Sequence, residues 1–138
     1  TAETAYGFAQ SQSSLGNPSN FNAGSWTPIS LSGTPLGAVA TKQSVILYTT
    51  TNAYAFSQSQ STLGNPPNLN IGTWTIQSLN GNFVSAAGSS RMAVIITDTN
   101  VYGFSQSQGT SGSEPNDAAG TWTVQTLSGV PIGIQPTK

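Results

Sequence analysis

Four kinds of side chain recur in this 138-residue sequence at an interval of 48 positions. Tyr6, Tyr54 and Tyr102 come first, followed by Gln10, Gln58 and Gln106 and by Gln12, Gln60 and Gln108. Asn20, Asn68 and Asn116 come next, and Trp26, Trp74 and Trp122 close each set. An aromatic face stacks on the C–H patch of a sugar ring, and amides both donate to and accept from hydroxyls. No charge is needed for such binding. Three weak sites on one chain gain strength together through multivalency. The repeated set therefore points to recognition of neutral glycans, as in a lectin, with Trp26, Trp74, Trp122, Tyr6, Tyr54, Tyr102, Asn20, Asn68, Asn116, Gln10, Gln58 and Gln106 as the ligand-binding candidates.

The inventory for catalysis is poor. The sequence has no His, the usual general base and metal ligand. Its four carboxylates, Glu3, Asp98, Glu114 and Asp117, are not repeated from unit to unit. Glu114 and Asp117 have no apolar neighbours to raise a pKa and read as a solvated loop. Asp98-Thr99-Asn100 is short of any EF-hand spacing, and the corresponding positions of the preceding unit carry Thr50 and Asn52. Serines abound without an adjacent base. No enzyme activity, no metal and no cofactor are expected.

Only seven side chains are charged, and the net charge is −1. That leaves no electrostatic footprint for nucleic acid and no basic face for anionic lipid. With no cysteine, disulfides and thiolate metal sites are excluded. VILYTT (45–50) and MAVIIT (92–97) are apolar runs of strand length, far below the ~20 residues that span a bilayer as a helix. A polar, charge-poor, cysteine-free surface, in a sequence opening on TAETAYGF without a leader, is expected of a secreted or surface-displayed product.

Positioning these side chains requires a repeated β unit. Trp26, Trp74 and Trp122 each stand in a G-[ST]-W-T tetrapeptide, and Leu31, Leu79 and Leu127 each precede a Gly by two residues. Units of about 5–52, 53–100 and 101–138 follow, in a single domain. Three full units would need 144 residues, and the six missing ones correspond to the apolar strand QSVILY (43–48). The last unit is therefore expected to lack its final strand. Each unit reads as four strands: AYGFAQS, WTIQSL, FVSAAG and MAVIIT. Asn80-Gly81 and the Ser-Gly pairs at 32–33 and 128–129 are turn dipeptides, and Asp98-Thr99-Asn100 forms a second turn leading into the next Tyr. Of Tyr and Phe in the first strand, one is expected inside, the more apolar Phe. Nothing has helical periodicity. The fold class is all-β.

Val84, Ala86-Ala87-Gly88, Ala93-Val94-Ile95, Asp98-Thr99-Asn100, Val101-Tyr102-Gly103-Phe104, and Leu15-Gly16 or Leu63-Gly64 together resemble the regulator-of-chromosome-condensation type of β-propeller repeat. The family's Trp-Gly is here Phe-Ser or Phe-Ala, and its His is missing. The resemblance implies four-stranded propeller blades. The family's exchange-factor and chromatin functions need a complete ring and charged loops, and do not transfer.

Three blades cannot close a ring, so this reading implies completion by homo-oligomerisation. A β-trefoil or β-prism closed within one chain is the alternative architecture. Two functions compete. One is the lectin. The other is a structural or assembly subunit of an extracellular fibre, appendage or coat. Beside both stands a plainer reading of the same residues. In it Trp is a core or inter-blade packing residue, and Asn closes a turn after Pro. The Gln-bearing face is solvated, binds ligand or forms amide ladders between packed chains. Lys42, Arg91 and Lys138 are a ring at one end of the assembly or a solvated edge guard.

Overall fold

A computed structural model describes residues 3–13, 20–21, 23–61, 68–69, 72–109, 116–117 and 120–134. The strands in chain order are β1 (Glu3–Ala9), β2 (Gln12–Ser13), β3 (Asn20–Phe21), β4 (Ser25–Leu31), β5 (Pro35–Ala40), β6 (Ser44–Thr49), β7 (Asn52–Ser57), β8 (Gln60–Ser61), β9 (Asn68–Leu69), β10 (Thr73–Ser78), β11 (Phe83–Gly88), β12 (Met92–Thr97), β13 (Asn100–Ser105), β14 (Gln108–Gly109), β15 (Asn116–Asp117) and β16 (Thr121–Thr126). Among the described residues there is no helix. The Gly-Asn-Pro segments, Glu114 and Lys138 lie outside them, as do the side chains of Gln12, Gln60, Gln108, Asn20, Asn68 and Asn116.

Two antiparallel four-stranded sheets form the body, ordered β10-β7-β6-β5 and β11-β12-β13-β16. A two-stranded sheet, β1-β4, precedes them. Matching residues hold matching registers: Trp26 faces Phe8, Trp74 faces Phe56 and Trp122 faces Phe104. The two full sheets even share an irregularity, between Pro35 and Gly37 in one and between Phe83 and Ser85 in the other. Pro28 and Pro35 lie on edge strands, where the missing N–H breaks no ladder. Among the described residues the sheets do not close on themselves.

The sheets are out of phase with the sequence units. Each four-stranded sheet takes its third and fourth sequence strands from one unit and the first two from the next. The 98–99 turn is a hairpin inside a sheet, because β12 and β13 pair from Met92↔Ser105 to Ile96↔Val101. Thr97 Oγ1 tightens it by accepting from Asn100 N at 3.0 Å. Asn80-Gly81 instead carries the chain from one sheet to the next, with Gly81 at φ 86. Accordingly the first sheet has two strands and the last has four.

The core lies between the two full sheets and is built from Ile46, Ala53, Ala55, Leu79, Ala93, Ile95, Tyr102 and Phe104. MAVIIT is buried along most of its length, as its unbroken apolarity predicts. The expectation that only one of Tyr and Phe turns inward is corrected. Two residues apart on a strand, they share a face, and Tyr54, Phe56, Tyr102 and Phe104 are all buried.

Candidate functional site

Among the described side chains, Tyr54, Tyr102, Gln58, Gln106 and Trp74 of the repeated set lie at the junctions between successive units. Tyr54 reaches back to the turn that ends the preceding unit's β4, where its OH accepts from Ser32 N at 2.6 Å. Tyr102 repeats this with Asn80 N at 2.7 Å, and also accepts from Asn100 Nδ2 at 3.0 Å. Gln58 Nε2 donates to the Gln10 carbonyl at 3.0 Å, and Gln106 Nε2 donates to the Gln58 carbonyl at the same distance. The amides at 10, 58 and 106 thus define a ladder running across the units. Gln106 is buried, and its Oε1 accepts from Ser44 Oγ at 2.8 Å. Trp74 Nε1 donates to the Thr27 carbonyl of β4 at 2.8 Å. Trp122 holds the same station, but its Nε1 is buried without a hydrogen-bond partner.

The G-[ST]-W-T glycine has a steric cause. The rings of Phe8, Phe56 and Phe104 lie over Gly24, Gly72 and Gly120, leaving no room for a Cβ. Each Phe then meets its Trp at a tilt, with centroids 4.8, 5.0 and 5.1 Å apart. These contacts make Trp and Phe one packing unit in every repeat.

Asn20, Asn68 and Asn116 belong to β3, β9 and β15, which with β2, β8 and β14 make a six-stranded ribbon ordered β14-β15-β8-β9-β2-β3. It crosses both junctions, through Gln12↔Leu69 and Asp117↔Gln60.

Exposure differs sharply between equivalent residues. Tyr54 and Tyr102 are 2% and 1% exposed, whereas Tyr6 is 62%. Phe8 and Trp26 are likewise open, at 52% and 65%. Tyr6 and Trp26 line a shallow apolar hollow. A second, more polar cleft of about 220 Å³ brings Phe8 and Phe56 together with Lys42, Gln43, Ser44 and Gln58. It lies beside the two-stranded sheet. At the next junction Ser44 Oγ donates to Gln106 Oε1 at 2.8 Å.

Sequence reasoning missed this cleft, because Thr41–Val45 comes beside Phe8 only when the sheets stack. Asp98 closes the 80–82 turn, its carboxylate accepting from Asn82 N and Asn82 Nδ2 at 2.8 and 2.9 Å. Lys42 N donates to the Ser90 carbonyl at 2.9 Å, which places its backbone at the second junction. The Arg91 carbonyl accepts from Gln106 N at 3.1 Å, extending the β12–β13 ladder by one rung. No family model, no curated protein and no solved structure matches the chain.

Proposed function

We propose that the chain is an assembly module, a structural subunit of the kind that builds a fibre, appendage or coat. One observation carries the reading: the Gln amide bond from each unit to the one before it is made identically at both junctions. A fixed-offset set selected to meet ligand would keep its polar atoms open to solvent. Here Tyr hydroxyls and Gln amides are taken up in cohesion between units. A charge-poor surface suits such stacking, because ordering costs little electrostatic desolvation. The propeller-blade reading fits alongside it. Several backbone positions of β5 and β11, first strands of the two full sheets, approach closely, as the inner strands of neighbouring blades do.

A second reading, the neutral-glycan lectin, is favoured by the cleft of about 220 Å³, whose lining by Phe8, Phe56, Gln43, Ser44 and Gln58 suits a single sugar ring. Solution mass and a glycan array together decide between the two. The assembly reading expects a mass that rises with protein concentration and no glycan signal. A strictly monomeric chain that binds glycans or agglutinates red cells overturns it in favour of the lectin.

A further inference from the structure

We propose that the two ends of the chain are complementary halves of one interface, and that a second copy of this chain docks its last sheet onto the exposed face of the first. This rests on the assembly reading and adds to it the identity of the touching surfaces.

Several contacts between successive units recur when 48 is added to both residue numbers, the Tyr and Gln bonds among them. Phe56 lies over Gly7, where an added Cβ would come within 2.5 Å of the ring. Phe104 packs in the same cluster as Ala55, the residue matching Gly7. One further step places Gly103 in the seat, and a Cβ there meets nothing but Thr123 Oγ1, at 3.1 Å. At the other end Phe8, the ring matching Phe56 and Phe104, is half-exposed. A ring without a seat and a seat without a ring stand at opposite ends of one molecule.

The polar contacts continue in the same way. Tyr54 on Ser32 N and Tyr102 on Asn80 N are followed by Tyr6 on Ser128 N of a second copy. Gln58 on Gln10 and Gln106 on Gln58 are followed by Gln10 on the Gln106 carbonyl of a second copy. The ribbon ends in β3 on one side and β14 on the other. Leu69↔Gln12 and Asp117↔Gln60 extend to Phe21↔Gln108 between copies. Val130 and Ile132, fully exposed, match Thr34 and Leu36, where the chain passes onto the next sheet. In the pair they reach the partner's first sheet. The surfaces differ at the two ends, so the association is head-to-tail and grows until it closes or runs on as a filament.

Two substitutions each disable one end. Phe8→Ala removes the ring. Gly103→Leu fills the seat on a free face, with φ outside the left-handed region and with Ala tolerated at the matching position 55. Circular dichroism checks that both fold, and Tyr6→Lys serves as a second first-sheet variant. Sedimentation velocity on wild type, each variant and their equimolar mixture is the test. Wild type is expected to show mass rising with concentration, and each variant alone to remain at monomer mass. The mixture has one intact head and one intact tail, and is expected to stop at a dimer.

If wild type associates while the variants associate equally well, the interface is wrong and the assembly reading stands. A mixture that stays monomeric also overturns the interface. A wild type that is monomeric throughout overturns both.

Discussion

Replacing Gly120 with Ala tests the packing that underlies every unit. The new methyl would fall inside the Phe104 ring, which is 1% exposed and held against Trp122 at 5.1 Å, with no open side to swing into. Overpacking of this kind costs about 1–3 kcal/mol through displaced rotamers and backbone. For a domain of this size that lowers the melting temperature by roughly 4–12 °C. Urea unfolding followed by Trp fluorescence measures the loss as a lower midpoint at unchanged slope. Gly129→Ala is the internal control: an added Cβ there meets nothing within 4 Å, so its effect should stay within about 0.5 kcal/mol. Adding Phe104→Leu to Gly120→Ala should recover part of the loss, because the two side chains contend for one volume. If Gly120→Ala is as stable as Gly129→Ala, the Phe-on-Gly contact is not what the G-[ST]-W-T pattern preserves, and the packing argument fails.

Tyr102→Phe leaves Asn80 N and the buried Asn100 amide without their acceptor, and a loss of about 1–3 kcal/mol is expected in the same urea assay. Ile95→Ala opens a cavity at a fully buried position of β12, with an expected cost of about 2–5 kcal/mol by chemical denaturation. Gln106→Ala removes the bonds to Ser44 and to the Gln58 carbonyl. Amide exchange should then quicken at Ser44 and Gln106, and should remain slow at Ile95 if the sheets themselves are intact.

Much of the fold was legible because β structure advertises itself at short range. Tyr and Phe alternating with small residues marked β1, β7 and β13, and unbroken apolarity marked β12 as buried. The sites were less legible. The period of 48 shows that Tyr6, Tyr54 and Tyr102 do the same job, but the nature of that job is a tertiary matter. An aromatic–amide set serves a sugar ring or a neighbouring sheet with the same atoms, and only stacking shows Tyr54 and Tyr102 meeting turn N–H groups. The phase of the sheets was hidden for a related reason. A periodic sequence can be cut anywhere, and both Asn80-Gly81 and Asp98-Thr99 have turn chemistry.

By itself, then, the sequence determined an all-β chain, its longer strands and the glycine before each Trp, since these follow from backbone sterics and side-chain alternation over a few residues. The two-residue strands of the ribbon escaped it. Tertiary structure alone decided which turn crosses between sheets, where the core lies, and why Tyr6 is open while Tyr54 and Tyr102 are closed. Burial depends on what packs against a face. Identical residues acquire different fates when one unit has a neighbour on both sides and another has a neighbour on only one.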